Sequence, residues 1–291
     1  MLSIENVIED ADIFKGLAVT YKLLDGGFVN RIYKVECDGK EYCVRINNSR
    51  QAEFFRLDTV KEAQAIQQAS MFSIAPKIYN IDNSNEYLIT DYFPGRLLST
   101  DDARNPEIMK KYVGAIKLIH DNVKVDRIFS IYDQFDKYIE TAKICGMQLP
   151  VGLGKVMAQV EKIKKMRSNS KLLYKVFSHN DIWQNNILYD GNNICIIDWE
   201  YCGYGDGFFD FAHIANSTGM TVEEQQFMLK TYFGYYEPEM WQMLRQMKFI
   251  SDAYCAIWYI FHSCIADDPE TKSQYTETAH NSVNGLADSI K

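Results

Sequence analysis

Three oxygen-bearing side chains and a histidine cluster in residues 176–212, VFSHNDIWQNNILYDGNNICIIDWEYCGYGDGFFDFA. His179-x-Asp181 is followed five residues later by Asn186, and an apolar run broken by Asp190-Gly191 leads to Asp198. Side chains of these types on a hairpin suit phosphoryl transfer. One carboxylate takes or orients a hydroxyl proton, while an amide oxygen and a second carboxylate hold Mg²⁺ against phosphates. Mg²⁺ takes hard oxygen ligands and commonly only one or two protein carboxylates, so Asn186 and Asp198 form a reasonable metal pair. The His-x-Asp-x4-Asn spacing is expected by chance about 0.02 times in a chain of this composition, which makes an accidental turn the weaker reading.

The elements that must position this set follow from the rhythm of the chain. Strand patterns cover Val19–Leu24, Arg31–Cys37 and Glu41–Ile46, with turns at Asp25-Gly26-Gly27 and Asp38-Gly39. The first turn, Leu24 to Arg31, places glycines where backbone N–H groups can approach phosphate oxygens; Gly26, Gly27 and Asn30 are the candidate nucleotide contacts. A plain hairpin is the commoner use of a Gly-Gly turn. Val60, Ala63, Ile66 and Ala69 recur at helical spacing within 56–70, and further strands are predicted at Lys77–Ile81 and Glu86–Thr90. After the break at Phe93-Pro94-Gly95 the pattern turns helical, at 106–122, 131–145, 154–168, 222–235, 238–265 and 274–289, interrupted by a β-rich stretch at 176–198. The expected class is α+β in two lobes: residues 1–91 a nucleotide-binding lobe and 92–291 a catalytic and substrate-binding lobe, with a cleft between them.

Composition narrows the partners. The 291 residues, 47% hydrophobic and 24% charged, are ordinary for a globular enzyme and long enough for two lobes. A formal net charge of −8 argues against nucleic acid, whose readers present basic faces. Seven scattered cysteines, with no C-x-x-C pair, read as reduced thiols rather than a disulfide or zinc framework. The acidic N-terminus MLSIENVIEDADIFKG lacks the basic start and apolar stretch of a signal peptide, and the apolar run at 254–265 is too short to span a bilayer. The expectation is a cytoplasmic protein with no membrane or nucleic-acid partner; nothing in the pattern sets an oligomeric state.

The 176–212 segment resembles the signature of the aminoglycoside phosphotransferase and choline kinase superfamily, and HNDxxxxNIL joined to IDWEYxGxGDxxFDxA is most similar to its bacterial choline kinases. The resemblance implies a protein-kinase-like two-lobed fold, with a small β-rich N-lobe and a larger, mostly helical C-lobe. It implies ATP and Mg²⁺ as cofactors, Asp181 as catalytic base, Asn186 and Asp198 as metal ligands, and Asp210 as a brace for the catalytic loop. Arg45 ends the apolar strand Tyr42-Cys43-Val44 where protein kinases carry the phosphate-contacting lysine. Glu62 on the next helix is its expected partner, with other acids on or before that helix as rivals. Thr90-Asp91-Tyr92-Phe93 becomes the lobe connection, with the backbone of Asp91 and Tyr92 meeting the adenine edge. His120 and His179 read as structural braces rather than proton carriers.

Which alcohol accepts the phosphoryl group is a separate matter. Choline has no N–H to donate, so a site must hold it by cation–π contact helped by carboxylates. Trp183, Tyr201, Tyr204, Tyr254 and Trp258 are the candidate walls, with Glu200 supplying negative charge. Core packing is the competing reading, evenly balanced for Trp258 and favoured for Tyr254. In the resembled family the late helix carries W-x-x-W; here Cys255-Ala256-Ile257-Trp258 keeps only the second tryptophan. The preferred acceptor is choline, a small cationic alcohol. Ethanolamine, an aminoglycoside or another small molecule are alternatives, and a catalytically silent nucleotide-binding module is the alternative of another class.

Overall fold

A computed structural model describes the chain except residues 1, 25–29, 48–57, 82–85, 173, 267 and 291. The Gly26-Gly27 turn therefore lies outside the described residues. Alternation of apolar and polar residues builds an antiparallel sheet from β1 (Val19–Leu23), β2 (Arg31–Cys37), β3 (Lys40–Ile46), β4 (Ile78–Ile81) and β5 (Tyr87–Asp91), in the order β1-β2-β3-β5-β4. Asp38 and Gly39 both adopt positive φ, at 49° and 70°, and close the β2–β3 hairpin on the Cys37–Lys40 pair. This is the mirror-image turn that suits the right-handed strand twist. Tyr33, Val35 and Cys37 of β2 and Tyr42, Val44 and Ile46 of β3 point to one face. There they meet α1 (Ile4–Asp10), whose first turn is closed by a Ser3–Asn6 capping box.

The helix α2 (Thr59–Ser70), capped by Asp58, joins the sheet to the rest of the protein. Its Ala65, Ile66 and Ala69 are buried in the larger core, together with Ile74 and Leu88, and not with the α1 cluster. Beyond the sheet come β6 (Arg96–Leu97), α3 (Thr100–Arg104), α4 (Pro106–Asn122), α5 (Ile131–Ile144) and α6 (Leu153–Ser168). A β-rich insert follows: β7 (Tyr174–Ser178), β8 (Ile187–Tyr189), β9 (Ile194–Ile196) and β10 (Gly203–Asp206). It forms two small sheets, β10-β7 and β6-β8-β9. The chain ends in α7 (Phe208–Ser217), α8 (Val222–Phe233), α9 (Pro238–Ile265) and α10 (Pro269–Ser289). The long α9 packs against α5, α6, α7 and α10 and carries the centre of the large core.

Four helices differ from expectation. Helices α1 and α3 are only 7 and 5 residues long, too short for a periodic signal. Helix α7 is buried at every residue from Phe208 to Ala215, so it has no polar face to betray its period. Helix α10 starts at Pro269 rather than 274, because Asp268 caps it through Thr271 N. Among the described residues no helix is long and apolar enough to cross a membrane.

Candidate active site

The stretch between β7 and β8 carries Asp181 and Asn186. Its backbone is gripped from below by Asp210 of α7: Oδ2 accepts from His179 N at 3.0 Å and Oδ1 from Asn180 N at 2.7 Å. Asp210 Oδ2 also lies 3.1 Å from His120 Nε2, whose other ring nitrogen meets Tyr232 OH at 2.8 Å. Asn180 takes φ 63°, a conformation that needs such support in a non-glycine residue. Its side-chain Nδ2 donates to the carbonyls of Tyr201 and Gly203 at 3.1 and 3.2 Å, which ties the loop to the segment after Asp198. A Cβ at Gly203 would approach Arg127 O and Phe129 N to 3.0 Å, so that close crossing calls for glycine. His179 donates Nε2–H to Ile197 O at 3.1 Å and packs edge-on against Trp199. Burial pushes its pKa down, which keeps the ring neutral.

Asn186 Nδ2 donates to Asp181 Oδ2 at 2.8 Å and to Asp181 O at 3.0 Å. That orientation leaves the Asn186 carbonyl oxygen as the atom able to face a cation. Ile197 N donates to Asn186 O at 3.0 Å, so the β8–β9 hairpin delivers Asp198 beside Asn186. Asp198 also takes φ 63°, and its Oδ1 is shut from solvent without a hydrogen-bond partner. Burial, then the Asp181 charge, lifts the Asp198 carboxyl to about 7, against the pull of Arg45. Burial and the neighbouring Asp198 likewise push Glu200 well above the carboxylate range. An orphaned carboxylate oxygen, an amide oxygen and crowded acids suit a hard dication. Among the described residues no three His, Cys, Asp or Glu side chains form a ready cage, so protein would supply few ligands and phosphates the remainder.

Above the acids stands Arg45, paired with Glu62 through Nη1–Oε1 at 2.6 Å and Nη2–Oε2 at 2.7 Å. This selects Glu62 from its rivals as the partner. Burial opposes the Arg45 charge, but Glu62, Asp198 and Glu200 more than restore it and raise its pKa. Asn30 immediately precedes β2. The amides of Asp91 and Tyr92 are engaged inside the sheet, with Lys77 O at 2.9 Å and Glu41 O at 3.3 Å, and so are not open donors for a purine edge. Lys34 sits 4.5 Å over the Tyr92 ring.

The expected aromatic walls divide. Tyr201 and Tyr254 converge with Tyr138, which the sequence did not suggest. The Tyr138 and Tyr254 hydroxyls are 3.3 Å apart, and the Tyr201 hydroxyl bonds to Tyr138. Asp181 and Glu200 act electrostatically on Tyr138 and Tyr201. Phe129 packs against Tyr201 at 5.6 Å. Trp258 stacks on His262 at 3.5 Å and meets Tyr275 of α10 edge-on, half-buried one turn beyond Tyr254. Tyr204 turns its ring onto Phe177, and Trp183 is half-buried at the start of the short 3-10 turn 184–186. The sequence also missed His213, whose Nε2 lies 3.4 Å from Asp181 Oδ1. Its spacing of three from Asp210 would have suggested it, had α7 been legible.

Comparison with known proteins places this arrangement among relatives. The family model described as choline/ethanolamine kinase matches residues 21–257. Protein LicA of Haemophilus influenzae is 22% identical over 260 residues, covering 86% of this chain and 75% of LicA. A choline/ethanolamine kinase family protein from Mesorhizobium loti superposes with a TM-score of 0.80 at 18% identity, over 97% of this chain and 93% of that one. Choline kinase LicA from Streptococcus pneumoniae superposes with a TM-score of 0.79 at 17% identity, over 97% and 99% of the two chains.

Proposed function

The chain belongs to the choline/ethanolamine kinase family and is a phosphotransferase that acts on an alcohol; on that premise we propose that it transfers the γ-phosphoryl group of ATP to choline, with Mg²⁺. Asp181 accepts the proton of the acceptor hydroxyl as that oxygen forms its bond to the γ-phosphorus. The bond from that phosphorus to the bridging oxygen breaks, and ADP departs with the electron pair. Asn186 and Asp198 would hold Mg²⁺, which when bound would neutralise charge on the phosphate oxygens. Arg45, held by Glu62, adds positive charge from the sheet side. Gly26 and Gly27, outside the described residues, and Asn30 would line the phosphates, while the strap at 91–92, whose amides are already engaged, would border the nucleotide without donating to it.

The observation that carries the reading is the contact of Asp181 with Asn186 at 2.8 Å, together with delivery of Asp198 beside Asn186 by the hairpin. Choline is supported by the aromatic surroundings of the acids: Tyr138 and Tyr201 lie in the field of Glu200 and Asp181, Tyr254 meets Tyr138, and such ring faces could hold a quaternary ammonium. Ethanolamine is the second reading. The tyrosine hydroxyls gathered at 3.3 Å offer acceptors for a primary ammonium, and Cys255 occupies the position of a missing tryptophan. The test is ATP consumption with choline, ethanolamine, thiamine and kanamycin as acceptors. Choline should give the highest kcat/KM, and Asp181→Asn should lower kcat by about 10²–10⁴-fold. Faster turnover on another acceptor reassigns the substrate; unchanged turnover in Asp181→Asn removes Asp181 from the reaction.

A further inference from the structure

Asp181 has a neighbour that belongs to no sequence motif. His213 stands one turn beyond Asp210 on α7, with Nε2 3.4 Å from Asp181 Oδ1, while Asn186 Nδ2 holds Oδ2 at 2.8 Å. The two carboxylate oxygens thus meet donors from two different elements. The imidazole is itself fixed. Its Nδ1 lies 3.0 Å from Ser251 Oγ on α9, and its ring stacks on Phe209 at 5.7 Å and 25°. Only 10% of the side chain is exposed, so turning it away would break both contacts inside a packed interior.

The charged and titratable groups facing it are Asp181 from the loop and Cys255 and Asp252 from α9, with Lys248 behind Asp252. Burial disfavours a charged ring here, but the hydrogen bonds to Asp181 and Cys255 prevail and raise its pKa to about 10. At neutral pH the ring therefore carries protons on both nitrogens and donates to Asp181 and Ser251.

We propose that His213 is the positioning residue for the proton acceptor of this enzyme, clamping the Asp181 carboxylate opposite Asn186. A carboxylate offers about four lone-pair sites; with one on each oxygen occupied, the carboxylate cannot rotate, and the remaining sites keep a constant direction toward an acceptor hydroxyl. His213 takes no proton in the reaction, because both its nitrogens already hold one. Helix α7 then sets the loop twice, through its backbone by Asp210 and through its reacting side chain by His213.

The inference rests on the phosphotransfer reading, and two measurements separate their fates. In ¹⁵N-imidazole NMR, which needs no substrate, the wild-type His213 ring should stay doubly protonated through about pH 8 and should lose its proton near neutrality in Asp181→Asn. In kinetics with the best acceptor, His213→Leu should lower kcat by about 10–100-fold with KM for ATP within about twofold. His213→Gln, whose amide N–H can reach Asp181, should recover most of the rate. Identical titration of His213 in wild type and Asp181→Asn, or unchanged kcat in folded His213→Leu, overturns the clamp. A wild type inactive on every amino alcohol sinks the phosphotransfer reading instead, and the titration still decides whether the two side chains are coupled.

Discussion

His213 gives the large lobe a pH dependence of definite sign. Its pKa rises from an ordinary 6.5 to about 10 in the folded protein, through its bonds to Asp181 and Cys255 and against its burial. A raised cationic pKa stabilises the fold fully below pH 6.5; that contribution declines above it and is gone once pH exceeds about 10. His213→Gln lacks this term while keeping the other alkaline titrations. Between about pH 7 and 10 the wild-type thermal midpoint, followed by circular dichroism, should therefore fall more steeply than that of the glutamine variant. Parallel curves would remove the imidazolium–carboxylate pair as a source of stability. At this scale the sequence was most informative where spacing is short. Asp181 and Asn186 touch, as their separation of five suggested, and Arg45 finds Glu62. Tyr138 was invisible for the opposite reason: it joins Tyr201 and Tyr254, both expected as walls, from a distant segment, and no local pattern links the three.

Helix α7 owes its place to an ion pair that neither motif nor periodicity announces. Arg167, at the end of α6, binds Asp206 through Nε–Oδ2 at 2.6 Å and Nη2–Oδ1 at 2.8 Å, and Asp206 Oδ1 receives Phe208 N at 3.1 Å. Both side chains are buried, at 1% and 4% exposure, and Arg167 lies over the Phe208 ring. Arg167→Met leaves Asp206 buried without its counter-charge and should cost about 3–5 kcal/mol in urea unfolding, whereas Arg167→Met with Asp206→Leu should recover most of that loss. A single variant within about 0.5 kcal/mol of wild type would contradict the pairing. The amphipathic helices α4, α5, α6 and α9 were readable because each keeps a polar side. Helix α7 was not, because burial on all faces erases the contrast that periodicity measures. The element that carries Asp210 and His213 was thus hidden from periodicity.

The whole molecule has two apolar clusters of unequal size, a small one between α1 and the sheet and a large one through the helices. Helix α2 belongs to the large cluster although it precedes β4 and β5 in sequence. Hydrogen exchange should follow the clusters and not the chain order: amides of β2 and β3 should open at lower free energy than those of α7 and α9, and α2 should track the latter. Protection of α2 matching β2 would show that the sequence boundary near residue 91 outweighs packing.

The Arg45–Glu62 pair acquires a mechanical meaning from this division. Arg45 sits between Val44 and Ile46 of the small cluster, while Glu62 rides on a helix rooted in the large one. The guanidinium and carboxylate are therefore a rivet between two bodies. Leu88 of β5 is buried in the same large cluster, so rocking of the sheet over the helices would strain that packing and the two short bonds together.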